Sequence, residues 1–210
     1  MDDKTSNAGS ARRRRDSAAT REALLSAAHG RFIRLGYDRT TLRDVAADAA
    51  VNVALVKRYF GSKEGLFKAA LAANPRFLAP DERFPYGVEE LTAALARHLS
   101  ADAWPEYGEH PVLMLLRAPE NEEVSDMRRA SLDGAARRIL AAAGEALPPG
   151  GATEQQLRSQ LVVALGVGVA VLRSAVGVQP LGDAAPDALA PLLRLALKAL
   201  LEEPRDDSGR

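Results

Sequence analysis

Four consecutive arginines, Arg12 to Arg15, are the densest concentration of chemistry in this 210-residue chain. Each guanidinium is a permanent cation with a planar fork of N–H donors, so a run of four suits the phosphate oxygens of a polyanion. Residues 11–63 carry twelve Lys or Arg against five Asp or Glu, a net of +7, while residues 64–210 carry fifteen against twenty-one, a net of −6. The formal charge of zero therefore conceals a cationic front and an anionic remainder, which suits gripping a polyanion with one end and not with the other. Other chemistries fare poorly. There is no Cys, which removes disulfides, thiolate metal sites and thiol redox sensing, and fits a reducing cytoplasm. Three dispersed His, no phosphate-cradling loop and no nucleophile beside a base argue against an enzyme. Gly166-Val167-Gly168 lacks the third glycine and the preceding strand of a dinucleotide loop, and nothing calls for a cofactor or a metal.

The elements that must position the cations lie in residues 40–71. Thr41 is placed to cap a helix, with Asp44 three residues on, and Leu42, Val45, Ala46 and Ala49 recur at helical spacing. Asn52 caps a second short helix through Tyr59, with Val51 and Val56 turned inward. Two helices around so tight a turn form a helix-turn-helix, whose second helix enters the DNA major groove. Its first residues, Asn52, Val53, Ala54 and less directly Leu55, then face base edges. Asn52 could bond adenine or serve only as the cap; Val53 and Ala54 offer methyl groups to the thymine methyl. Arg43, on the exposed side of the first helix, could read a base or remain solvated. A preceding helix should run from Asp16 or Ser17 to Leu35, with Leu24, Leu25, Ala28 and Phe32 on its apolar face, His29 as a packing residue and Gly36 as its stop. Residues 1–15 are expected to form a disordered basic arm, reaching the minor groove beside the recognition helix or acting as a solvated tail.

The residues 40–46 (TTLRDVA), 50–52 (AVN) and 57–67 (KRYFGSKEGLF) resemble the TetR family of transcriptional repressors. Two positions depart from the family pattern: Ala50 stands where Gly is usual, and Lys57 where Tyr is usual. Ala50 implies either a turn without positive φ or a tolerated strain. The resemblance implies phosphate contacts for Lys57, Arg58, Tyr59 and Lys63, with Thr40 or Thr41 at the opposite end. It implies that a helix capped by Ser62 joins the DNA-binding unit to the rest as a lever, that middle helices enclose a small-molecule pocket, and that the last two helices dimerise.

Beyond residue 73 the sequence predicts a Pro-rich connection over 77–85, a helix over 88–100, a loop over 102–111, a short helix opened by Pro111 and a long helix over 122–144. Candidate pocket residues are Phe77, Trp104, Tyr107, His110, Met114 and Met127, with Arg117 or Arg128 as a polar anchor; the alternative is that they fill core. After a break at 147–151, Thr153 is expected to cap a helix whose run 161–172 is apolar on every side yet too short to span a bilayer. The final helix carries a broad leucine stripe, with Pro191 in its first turn or kinking it. Following the family, the expected dimer face is Leu165, Val169, Leu172, Leu189, Leu193, Leu197 and Leu200.

The expectation is thus an all-α protein of about nine helices: a basic arm (1–15), a helix-turn-helix domain (16–62), a helical effector-binding and dimerisation domain (63–204) and a disordered tail (205–210). Its expected role is that of a cytoplasmic, homodimeric repressor on a palindromic double-stranded DNA operator, released by a small hydrophobic or amphipathic effector, with no membrane partner. The alternative is a helical DNA-binding or dimerisation protein without an effector.

Overall fold

The computed structural model describes residues 3–73, 86–100, 102–105, 107–118, 120, 122–144 and 147–202. All regular structure among them is helical: α1 (Asp3–Arg39), α2 (Leu42–Asp48), α3 (Val53–Phe60), α4 (Lys63–Ala73), α5 (Gly87–His98), α6 (Val112–Leu116), α7 (Glu122–Ala143), α8 (Ala152–Val171) and α9 (Pro186–Leu201), with a π-helical turn Leu172–Val176 closing α8. The expected all-α architecture is therefore the observed one.

The N-terminal unit is organised by an aromatic core. Phe32 of α1 meets Phe67 of α4 edge to face at 5.0 Å, and Tyr37 stacks on Phe32 at 6.0 Å. Leu24, Ile33, Val45, Val56 and Leu66 close around them, all fully buried. The helix starts follow their caps. Thr41 Oγ1 accepts from Asp44 N at 3.2 Å, Asn52 Oδ1 from Ala54 N at 2.8 Å, and Ser62 Oγ from Gly65 N at 2.9 Å. Glycine is needed at position 65, because a Cβ there would lie 2.1 Å from the carbonyl oxygen of Phe60.

Several expectations are corrected. The stretch holding Arg12, Arg13, Arg14 and Arg15 is not a disordered arm: α1 begins at Asp3 and carries them on a helical backbone. Ala and Arg are strong helix formers, the stretch has no proline, and a single Gly9 costs too little to stop propagation. Gly36 does break α1, at φ 76° and ψ 176°, although a further helical turn follows it. Helix α8 starts at Ala152 after Gly151, so Thr153 lies inside it and is not its cap. Together with the π-helical turn, Ala152–Val176 spans 25 residues and holds an 18-residue window of mean hydropathy 1.8, long and apolar enough to cross a bilayer; the shorter expectation counted only the uninterrupted apolar run. Pro191 lies in the second turn of α9, after Pro186 at its start.

The turn between α2 and α3 settles the question raised by Ala50. Its φ is +53°, and it is the non-glycine residue with positive φ among the described ones. A Cβ in the left-handed region is strained by about 1 kcal/mol. Ala50→Gly should therefore raise stability by roughly 0.5–1 kcal/mol, measured as a higher urea midpoint at unchanged slope.

Candidate nucleic-acid interface

The chain leaves α2 through a turn closed by Ala50 N to Ala47 O at 3.0 Å and Val51 N to Ala46 O at 2.9 Å. Val56 is buried beneath α3, so the opposite side of that helix faces solvent. Exposed there are Asn52, Ala54, Lys57 and Arg58, with Val53 half-buried and Arg43 exposed on α2. Among the described residues, Arg43, Lys57 and Arg58 enter no ion pair. The result is a small patch of methyl groups edged by cations, the chemistry needed for thymine methyls and phosphates. Asn52 spends its carbonyl oxygen on the helix cap and keeps its amide donors.

Other expected contacts are spent inside the protein. Thr40 is 1% exposed and donates its hydroxyl to Gly36 O at 2.8 Å, so it braces the end of α1 and cannot reach a phosphate. Thr41, next door, is exposed, with its hydroxyl bonded to Asp44. Lys63 donates to Asp38 O at 3.2 Å and lies 4.3 Å over the Tyr37 ring. Both bonds turn it toward the core rather than outward. Tyr59 is half-buried and its hydroxyl pairs with Ser17 Oγ at 2.8 Å, which ties α3 to α1. Arg15 is exposed two residues before Ser17, so the end of the arginine run lies beside the recognition helix.

Two supports have no local signal in sequence, Ser17 and Arg31. Arg31 forms a two-pronged pair with Asp48, Nε to Oδ2 at 2.6 Å and Nη2 to Oδ1 at 2.8 Å, with Asp44 3.7 Å away. That hydrogen bonding, opposed by partial desolvation, holds the Asp48 carboxyl below the usual range.

The expected effector residues come together only in part. Trp104, Tyr107 and His110 do assemble, with His98 and His29, but as a packed cluster. Trp104 lies 4.6 Å from His98, 5.5 Å from His110 and 6.2 Å from Tyr107, and Tyr107 lies 6.1 Å from His29. These rings and Met114 lie in the core, and all but Tyr107 and His98 are buried. Arg117 lies apart from the aromatic cluster: its side chain reaches the end of α1. Met127 and Arg128 are half-buried on α7, and the buried Arg128 Nε has no acceptor among the described residues. Phe77 lies outside the described residues. Among the described residues, open depressions lie elsewhere, one of about 640 Å³ between the end of α1 and Arg117, and an apolar one of about 400 Å³ between α7 and α8.

Within the cluster, Val112 N donates to His110 Nδ1 at 3.1 Å, which puts the hydrogen of the neutral ring on Nε2. Burial first, and the nearby His98 second, push His110 down to about 3. Burial also lowers His29, against the opposing effect of its 2.6 Å bond to Ala70 O.

The expected dimer face is corrected as well. Leu189, Leu193 and Leu197 point into the subunit, at 6%, 6% and 0% exposure, because α9 packs that stripe on α5 and α8. Leu165, Val169 and Leu200 are half-buried and Leu172 is exposed. The uncovered face is a different one: Leu192 and Leu195 on α9, at 66% and 68% exposure, with Leu157 and Leu161 on α8.

A helix-turn-helix with an exposed cationic recognition helix, carried on a larger helical unit, defines a DNA-binding transcriptional regulator. The chain belongs to the TetR family: residues 24–70 match bacterial regulatory proteins of the tetR family, and residues 89–201 match the tetracyclin repressor-like C-terminal domain. Among solved structures it is similar to a TetR-family regulator from Streptomyces coelicolor A3, with 27% identity and a TM-score of 0.56, covering 88% of this chain and 95% of that one. NalD, the secondary repressor of the MexAB-OprM multidrug efflux pump in Pseudomonas aeruginosa, aligns at 22% identity and a TM-score of 0.63, covering 91% and 99%. Salmonella enterica GusR aligns at 19% and 0.63, covering 87% and 95%. No curated protein matches the chain.

Proposed function

We propose that the chain is a homodimeric, cytoplasmic repressor of transcription that binds a near-palindromic duplex operator and is released by a small hydrophobic or amphipathic effector. The observation that carries this reading is the solvent-facing side of α3, where Ala54, Lys57 and Arg58 stand exposed on a helix tied to α1 through Ser17. Two such helices, related by a two-fold axis, would enter major grooves about 34–36 Å apart or one step beyond. The uncovered leucines of α8 and α9 supply the dimer face that this axis requires, and their burial against a second copy accounts for the apolar length of α8 without a bilayer. NalD's role as a repressor supports the direction of control.

Lys57 and Arg58 set affinity rather than sequence. Lys57→Ala with Arg58→Ala should weaken binding to every duplex alike and flatten the slope of log K against log salt by about 0.9 per lost phosphate contact. Fluorescence anisotropy over a salt series checks this; a loss confined to one base position would refute the phosphate role.

The tight packing of Trp104, Tyr107, His98 and His110 favours a second reading, a DNA-binding dimer without an effector. Screening small amphiphiles for release of bound duplex separates the two. By linkage, any compound that releases DNA must itself bind less tightly to the DNA complex by the same factor.

A further inference from the structure

We infer that Arg117 is a positioning residue, which fixes the angle at which the DNA-reading unit is carried on the regulatory helices; the inference rests on the operator reading above. Arg117 follows α6 directly, and it holds the end of α1 twice. Its backbone carbonyl accepts from Tyr37 N at 3.1 Å. Its Nη1 donates to the carbonyls of Ile33 and of Arg34, the latter at 3.2 Å. Those carbonyls belong to the last turn before the Gly36 break, where helix carbonyls lack intrahelical partners and the helix dipole is negative, so a guanidinium is the favoured cap. The approach is close: a Cβ on residue 36 would lie 3.3 Å from Arg117 Cβ.

Behind Arg117, α6 is anchored in the regulatory core through the buried Leu113, Met114 and Leu115. In front of it, α1 is fastened to α2 by Arg31 and Asp48 and to α3 by Ser17 and Tyr59. A displacement of α6 therefore reaches the recognition helix through α1 as a rigid turn.

The hold is also contested. Nη1 carries two hydrogens but faces three acceptors, because Glu109 Oε2 lies 2.6 Å away. Glu109 sits in the loop before α6, so it pulls the guanidinium toward the regulatory side while the two carbonyls pull it toward α1.

The test uses full-length protein and the duplex that wild type selects from a random pool, remade with its half-sites moved closer or apart by one or two base pairs. Wild type should lose affinity at least about tenfold per base pair moved. Arg117→Met should bind all spacings within about threefold of one another, Arg117→Lys should restore part of the discrimination, and Glu109→Gln, which leaves both carbonyls as the strongest acceptors, should sharpen it. A residue that merely stabilised the fold would lower the melting temperature and leave the spacing profile unchanged. That result in Arg117→Met overturns the inference; if this variant does not fold, a flattened profile in Glu109→Gln overturns it instead. Wild-type protein that selects no duplex overturns the operator reading, and this inference with it.

Discussion

Aspartate at both Leu192 and Leu195 should leave a folded monomer that no longer holds a palindromic duplex. The two side chains project from α9 on the side opposite Leu189, Leu193, Leu197 and Leu201, which are buried within the subunit. Burying one leucine contributes about 1.5–3 kcal/mol, so four of them across a two-fold axis supply most of what a stable dimer needs, and four carboxylates there would repel. A monomer reaches one half-site at a time and forfeits the effective concentration of the second, a loss of about 10²-fold to 10⁴-fold in affinity. Light scattering reads the mass and anisotropy the affinity. Leu189→Asp is the contrasting variant: on the inward stripe it should unfold the subunit instead, as circular dichroism would report. A double variant that stays dimeric would mean that α9 is not the shared surface.

Acid should destabilise the protein ahead of ordinary carboxylate protonation, beginning near pH 6.5. His110 ionises at about 3 in the folded chain and near 6.5 when unfolded, so over that interval the unfolded chain binds the extra proton. Its contribution to stability is whole above pH 6.5 and falls as the pH drops, by about 1.4 kcal/mol per unit, or roughly 2 kcal/mol by pH 5. His29, lowered by burial, adds in the same direction. Trp104, the one tryptophan, lies against both His98 and His110 and makes the transition visible in fluorescence. His110→Asn keeps an acceptor for Val112 N–H and removes the titration, so it should flatten urea stability between pH 7 and 5. A slope that survives in this variant would assign the acid sensitivity elsewhere.

Local signals were legible and long-range partners were not. The caps at Thr41, Asn52 and Ser62 and the break at Gly36 follow from residue type and spacing within a few positions, and the structure has them there. Thr40 and Thr41 look alike in sequence, yet in the non-helical link between α1 and α2 their side chains part company, the first buried and the second exposed. Leucine occurs on both sides of α9, so periodicity cannot say which stripe faces inward; α5 decides it. Arg117 finds its acceptor 84 residues away and Tyr59 finds Ser17 at a separation of 42, distances over which no pattern in the chain speaks. The aromatic residues of 102–111 announce a shared environment, but not whether that environment is hollow or full.

The fork between Arg31 and the aspartates of α2 reaches beyond holding two helices together. Asp44 and Asp48 sit on the element that crosses the sugar-phosphate chain in this motif, where free carboxylates would push an approaching duplex away. Arg31 cancels much of that repulsion from behind, without occupying any of the surface that DNA needs. The motif can thus keep Asp44 in the first turn of α2, where the helix dipole favours it, and Asp48 at the other end, and still present an attractive potential to an incoming polymer.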